Sequence, residues 1–389
     1  MRASSPGPLR MMLPRRQFLY LSAGAAALPG PFSALAQSSD TAPQPTPAER
    51  AAMSDLARAF MEKYEVPGFS IAVGRDGTIV YQDAFGWADQ ANKEAVSSEN
   101  LFRIASVTKT ITSVTIFSLI EQGHVTLMDK VFGPNAIIGT DYGHPPYNPG
   151  VDQITIEHLL THTCGGWSNS KNDPMFENLQ MNHAQLIAWV LRTRPLDHPP
   201  GENYAYSNFG YCVLGRVIEK ITKQAYADYV RAAVLKPCGI TDMAIAGNTL
   251  AQRQPREVSY YGQGGNPYGM NVSRMDSHGG WIARPTDLVQ FFMHVDGFAA
   301  PPNILKPATI QSMTTPSAAN AGYAKGWEVN KANNWWHSGF FPGTSTIAVR
   351  THSGFCWAAF TNTRANSAMD GDLDRLNWSM VRQVKAWQV

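Results

Sequence analysis

The sequence predicts an α+β fold: an antiparallel sheet built from N- and C-terminal strands, flanked by helices and carrying a mostly helical inserted domain. Strand-like runs near both chain ends predict the sheet. Residues 69–73 and 78–85 form one group and residues 326–329, 335–340, 345–349 and 355–360 the other, each short and rich in β-branched or aromatic side chains. Between them the apolar residues recur at helical spacing, which predicts the insertion over about 110–300. The sheet part is then expected to draw on about 48–100 and 320–389, within a single catalytic domain spanning 48–389.

The first 36 residues read as an export signal. Arg2, Arg10, Arg15 and Arg16 stand without any acidic residue, an apolar segment follows from Phe18 to about Phe32, and Ala34-Leu35-Ala36 forms a small-residue cleavage site. Arg15-Arg16 followed by Gln17-Phe18-Leu19 is similar to the twin-arginine export pattern, a route for proteins already folded, with a plain secretory signal as the alternative. Gly24, Pro29, Gly30 and Pro31 interrupt the apolar segment, which is also short for a membrane span. A periplasmic or secreted bacterial protein is expected, with no stable membrane insertion after signal removal. Residues 37–47 read as a flexible leader rich in Ser, Thr and Pro.

Loss of the four leader arginines turns the formal net charge of +2 slightly negative, so nothing favours nucleic acid as a partner. Cys164, Cys212, Cys238 and Cys356 lack metal-type spacing and sit in apolar or glycine-rich settings, which reads as buried free thiols.

Along the chain, Met53, Leu56, Phe60, Met61 and Tyr64 predict a first helix, stopped by Pro67-Gly68. Gly74-Arg75-Asp76-Gly77 predicts the turn between the first two strands. Ile111, Val114, Ile116, Leu119 and Ile120 predict a buried helix from Val107 to a stop at Gly123. Helices are expected at 156–161, 182–194, 211–221 and 226–234, then a loop over 262–280, then a helix after Arg284-Pro285 with Thr286 as its N-cap. A closing helix is expected at 372–387.

The chemistry is concentrated at the start of the Ile111 helix. Ser106 falls at its first turn, and Lys109, three residues on, lies on the same face, so the amine can approach the serine oxygen. A serine hydroxyl attacks a carbonyl only when a neighbouring base takes its proton. The helix N-terminus adds unpaired N–H groups where negative charge would develop, and burial would lower the proton affinity of the lysine. The same S-x-x-K spacing recurs at Ser168 and Lys171, in a polar stretch between Gly165-Gly166 and Pro174 that reads as loop. Two further patterns stand out: Tyr206-Ser207-Asn208 ahead of an apolar helix, and His337-Ser338-Gly339 in a predicted strand ahead of Phe340. Taken alone, Tyr206 reads as a core tyrosine, Asn208 as a helix cap and His337 as a strand histidine packed beside Trp335 and Trp336. His158 and His162 stand four apart, but Leu159 occupies the place of the glutamate in H-E-x-x-H, so a structural role is expected for both. The glycines at 262–269 lack the strand and helix of a nucleotide loop.

S-x-x-K, Y-x-N and H-x-G in this order resemble the serine β-lactamase and penicillin-binding-protein superfamily, in particular the group with class C β-lactamases, D-alanyl-D-alanine carboxypeptidases, D-aminopeptidases and related carboxylesterases. The resemblance runs from about Phe60 to Phe360 and takes in Glu157-His158-Leu159-Leu160-Thr161-His162-Thr163, Pro200-Gly201 and Gly279-Gly280-Trp281. It implies that Ser106 is the acylated nucleophile, Lys109 its activating partner, Tyr206 a general base and acid, and Asn208 a residue facing Lys109 and the substrate. By the same resemblance, the N–H groups of Ser106 and Phe340 form the oxyanion hole, with His337 and Gly339 lining the substrate side. A tyrosine phenol ordinarily has a pKa of about 10 and needs a neighbouring cation, which Lys109 can supply, so the two would titrate as a pair.

One departure bears on substrate. Many members of the superfamily carry lysine where this chain has His337, and a histidine, with an ordinary pKa of about 6.5, holds a carboxylate less firmly near neutral pH. The expected function is an exported serine hydrolase acting on amide or ester bonds, closer to peptidases of D-amino-acid substrates or esterases than to a β-lactamase proper. The alternatives are a β-lactamase and a penicillin-binding sensor acylated without turnover. The expected partner is a small molecule or peptide with an amide or ester bond, and no cofactor or metal is expected.

Overall fold

The computed structural model describes residues 43–387. The export signal expected over residues 1–36 and the start of the leader lie outside the described residues.

Seven strands form one antiparallel sheet: β1 (Gly68–Arg75), β2 (Thr78–Asp89), β3 (Glu94–Ala95), β4 (Glu328–Val329), β5 (Trp335–Phe341), β6 (Thr344–Arg350) and β7 (Phe355–Thr361). Their spatial order is β3-β2-β1-β7-β6-β5-β4, so strands from the two ends of the sequence meet where β1 pairs with β7, Phe69 opposite Thr361. This is the antiparallel α+β arrangement that the two groups of strand-like runs predict. The turn between β1 and β2 places both Asp76 and Gly77 at positive φ, 49° and 76°. Both central residues of a type I′ hairpin need that conformation, and Asp-Gly tolerates it.

The helices among the described residues include α1 (Pro47–Lys63), α2 (Thr108–Glu121), α3 (Asn208–Thr222), α4 (Pro285–Met293) and α5 (Ser367–Val381). The sheet carries a core on each face. On one, Ile71, Val73, Ile347, Val349, Trp357 and Ala359 pack with Met53 and Phe60 of α1 and Leu373 and Met380 of α5. On the other, Ala72, Ala348, Ala358 and Phe360 join the larger core that includes α2, α3 and α4. Alternate side chains of one strand thus serve opposite cores, and burial on both faces explains why β6 and β7 are covered along their whole length. The second face is lined by small residues, which lets α4 lie close. A Cβ on Gly74 would come within 2.5 Å of Val289 Cγ1.

Three boundaries differ from the sequence reading. Helix α4 starts at Pro285 with Arg284, not Thr286, at the N-cap, because proline at the first helical position has no N–H to satisfy and a preset φ. Helix α3 starts at Asn208 rather than 211, because the Ser207 hydroxyl caps it, accepting from the Gly210 N–H at 3.0 Å. The closing helix runs from Ser367 to Val381, with Asn366 accepting from the Met369 N–H at 3.0 Å. Its polar segment Asp370-Gly371-Asp372 masks the early start. All four cysteines are buried and unpaired.

Candidate active site

A short strand, Phe102–Arg103, pairs with Trp281–Ala283, and the Ile104 N–H continues that pairing to the Trp281 carbonyl at 3.0 Å. The chain then turns sharply. Ala105 is fully buried with φ of 44°, a left-handed conformation that costs a non-glycine residue about 1–2 kcal/mol. The turn starts a 3₁₀ segment, Ala105–Val107, that runs into α2 and leaves Ser106 partly exposed at its head. The Ser106 N–H precedes the intrahelical ladder, so it is not consumed by it.

Lys109 is fully buried one turn on. Its amine lies 3.0 Å from Ser106 Oγ, 2.7 Å from Asn208 Oδ1 and 3.0 Å from the His278 carbonyl oxygen. The carbonyl can only accept, so it takes one amine proton, and the amide oxygen takes another. Burial holds the Lys109 amine well below the usual lysine range, with the Asp173 carboxylate opposing. In the uncharged amine the two donated protons leave one lone pair, aimed at the serine hydroxyl. That is the arrangement of a base.

Tyr206 and Asn208 arrive together at the start of α3. The Lys109 amine lies 4.8 Å from the centre of the Tyr206 ring. Burial holds this phenol well above its ordinary range, with the nearby Ser106 side chain opposing. Both members of the pair are therefore pushed toward their uncharged forms. An amine plus a phenol carries the same number of protons as an ammonium plus a phenolate, so burial selects where the shared proton resides.

Asn208 is held from three sides. Its side-chain oxygen accepts from Lys109, its Nδ2 donates to Asp173 Oδ2 at 2.7 Å, and its backbone N–H donates to Asn169 Oδ1 at 2.8 Å. Asp173 is buried, and Asp173 and Asn169 both come from the loop that contains the second S-x-x-K pattern. Lys171 of that pattern points away and pairs with Asp197 at 3.1 Å. The loop is held by Arg274, whose guanidinium donates to the carbonyls of Met175, Glu177, Asn178 and Met181.

Strand β5 forms the opposite wall. A Cβ on Gly339 would lie 2.3 Å from the Ile104 carbonyl, 2.5 Å from Thr346 Oγ1 and 3.0 Å from the Ser106 nitrogen. Only glycine permits this approach, which brings the backbone before Phe340 beside the head of α2. Phe340 is partly exposed, its ring under the Arg364 guanidinium.

His337 is 2 % exposed, and both of its ring nitrogens are engaged. Nδ1 lies 2.7 Å from the Ser338 carbonyl, to which it must donate, so Nε2 accepts from the Tyr323 hydroxyl at 3.2 Å. On its other side that hydroxyl meets His162 Nε2 at 3.1 Å, and His162 Nδ1 accepts from the Ser207 N–H. The proton inventory is thereby fixed: His162 Nε2–H donates to Tyr323, and Tyr323 donates to His337. The buried imidazole of His337 is pushed down to about 3 by burial and by the Lys109 charge. The ring has no N–H left for a substrate carboxylate.

Ser106, Lys109, Tyr206, Asn208 and Gly339 thus lie together, with Phe340 next to Gly339 on β5 and His337 buried in the same strand. His158 and His162 do not act together. His158 accepts from the Thr155 N–H at the start of a short helix, whereas the His162 ring lies 4.1 Å from that of Tyr206. Sequence reasoning missed Asp173, Asn169, His278 and Tyr323, all in loops without periodicity. The nearest signal was Gly279-Gly280, directly after His278. Among the described residues no group of three or more His, Cys, Asp or Glu is placed to hold a metal ion, and no helix is long and apolar enough to cross a membrane.

The chain is similar to several known proteins. Protein flp of Staphylococcus aureus (strain MRSA252) is 28% identical over 306 residues, which cover 74% of this chain and 58% of that protein. The chain thus spans little more than half the length of this relative. Penicillin-binding protein 4* of Bacillus subtilis (strain 168) is 26% identical over 340 residues, covering 78% of this chain and 69% of the relative. The crystal structure of D-amino acid amidase from Ochrobactrum anthropi SV3 complexed with L-phenylalanine shares the fold, with a TM-score of 0.72 at 20% identity over 86% of this chain and 99% of that one. The family model for Beta-lactamase matches residues 53–380, nearly the whole described chain, and the protein belongs to that family.

Proposed function

We propose that this protein is an exported serine hydrolase that cleaves amide or ester bonds through an acyl-enzyme on Ser106. The observation that carries this reading is the Lys109 amine, 3.0 Å from the Ser106 hydroxyl with its other protons committed to Asn208 and the His278 carbonyl. In the first step Ser106 Oγ bonds to the substrate carbonyl carbon while its proton passes to Lys109. The carbonyl oxygen gains the electron pair and is held by the N–H groups of Ser106 and Phe340. The Tyr206 hydroxyl then gives a proton to the leaving nitrogen or oxygen and recovers one from Lys109. Water, losing its proton to the same pair, attacks the ester and restores Ser106.

The wall formed by His337 supplies no cation, which favours substrates without a carboxylate at that position, such as D-amino-acid amides or short esters. The neighbouring amidase fold is consistent with this. A second reading, a penicillin-binding protein acylated without turnover, draws on the name of the Bacillus subtilis relative.

Both readings are tested with p-nitrophenyl butyrate, nitrocefin and a panel of D-amino-acid amides, followed by intact mass. Continuing product that is lost in Ser106→Ala is expected for the hydrolase. A single stoichiometric burst with a persistent adduct favours the sensor, and the absence of both Ser106-dependent product and a Ser106 adduct with every probe overturns both readings.

A further inference from the structure

The Lys109–Asn208 contact has a third member that no sequence motif marks. Asp173 Oδ2 accepts from Asn208 Nδ2 at 2.7 Å, and Asp173 Oδ1 accepts from the Met175 N–H at 2.9 Å, so the carboxylate is fixed at both oxygens. It is only 8% exposed. An amide cannot offer its oxygen to Lys109 and its nitrogen to a neighbour unless that neighbour accepts, so Asp173 dictates which way round Asn208 stands.

We propose that Asp173 is a positioning residue: through Asn208 it orients the amide oxygen toward Lys109, and its negative charge holds the proton of the Lys109–Tyr206 pair in place. The inference rests on the acyl-enzyme reading for its catalytic meaning; its electrostatic part is carried by the hydrogen-bonded chain from Asp173 through Asn208 to Lys109. Burial drives Lys109 toward the uncharged form, and Asp173 is the charge that opposes it. The field sets the pH at which the pair gives up its first proton. The sign does not depend on which partner carries that proton, since a negative charge always disfavours its loss.

Other groups also face Lys109. Tyr206 and Tyr211 present ring faces at 4.8 and 5.7 Å. His162, His278 and His337 are all buried near the amine, and burial first, then the Lys109 charge, keeps each imidazole uncharged. Burial raises the Asp173 carboxyl above its ordinary range, opposed by the Met175 N–H, Asn208 and the Lys109 charge, and Arg274 lies near enough to feel the carboxylate. Asp173 reaches Lys109 through a single intervening side chain, Asn208.

The test uses the full chain with Asp173→Asn and Asp173→Ala. Asparagine has one acceptor oxygen, which can still take the Asn208 Nδ2–H at the expense of the Met175 N–H, so it keeps the orientation of Asn208 and removes the charge. With Asp173→Asn the acid limb of the kcat/KM profile is expected to move to lower pH by about one unit, with KM little changed. Asp173→Ala is expected to make the same shift and lose at least a further tenfold in kcat, because Asn208 is free to turn. The Lys109 titration is read independently from its side-chain carbon resonances in lysine-labelled protein, assigned by their loss in Lys109→Met. A matching fall there supports the proposal even if no substrate is turned over, which separates it from failure of the acyl-enzyme reading. An unmoved Lys109 titration in a folded Asp173→Asn protein overturns it, as does a uniform loss of rate at every pH.

Discussion

The Cα of Gly339 faces the amide nitrogen of Ser106 across a gap too small for a methyl group. Because the Ile104 carbonyl would sit 2.3 Å from an added Cβ, backbone rather than a flexible side chain must yield. Gly339→Ala is expected to destabilise the fold by about 1–3 kcal/mol and to push β5 away from the head of α2. Loss of one oxyanion donor lowers kcat about a hundredfold. Thermal denaturation and steady-state kinetics check the two parts, and a rise in KM alone would contradict the placement.

Lys109→Met keeps a chain of similar length and removes the amine. The expected result is a loss of about 10²–10⁴ in kcat, with no recovery at high pH, because the lost group is the base itself. Lys109→Arg is expected to be equally poor, since guanidinium stays charged at every accessible pH. Rates measured from pH 6 to 10 distinguish these outcomes from a simple loss of charge.

His337→Lys would bring the chain closer to its lysine-bearing relatives, yet it is not expected to create a carboxylate anchor. The new ammonium would enter a buried wall near Lys109, where the Tyr323 hydroxyl is the partner of His337. An uncompensated buried charge costs about 3 kcal/mol or more. A lower Tm and no gain in affinity for carboxylate-bearing substrates are expected, and tighter binding with unchanged stability would refute this.

The same residue makes a pH prediction. A histidine whose folded pKa is pushed down to about 3 binds no proton in the native state at pH 4–6, whereas the unfolded chain does. Its contribution is therefore intact above about pH 6.5 and is lost as pH falls, by about 1.4 kcal/mol per pH unit. His337→Gln should make the slope of unfolding free energy against pH shallower by that amount between pH 6 and 4. Urea denaturation across this window measures it.

Elements with a strong repeating pattern were readable from sequence, and those held by particular side chains were not. The β-branched residues Thr344, Thr346, Ile347 and Val349 mark a strand whatever surrounds them, and the apolar spacing behind Ser106 marks α2. Asp173 has no such mark. It matters because Arg274, about a hundred positions away, gathers four carbonyls and folds the loop against α3. His337 was placed on the right strand, but the direction of its ring depends on Tyr323 and His162, whose meeting is a tertiary event. The helix starts were missed for a related reason: caps are single hydrogen bonds, and Ser207 and Asn366 do not differ in type from neighbouring loop residues.

The pairing of β1 with β7 has a consequence for biosynthesis. The strand that carries Phe69 cannot complete the sheet until Thr361 has been translated, so a closure spanning most of the chain waits for the late strands. The wall carrying Gly339 docks on that same late sheet. A nascent chain still on the ribosome therefore holds its serine and lysine without a finished cleft around them, and activity is expected to switch on as a single late event.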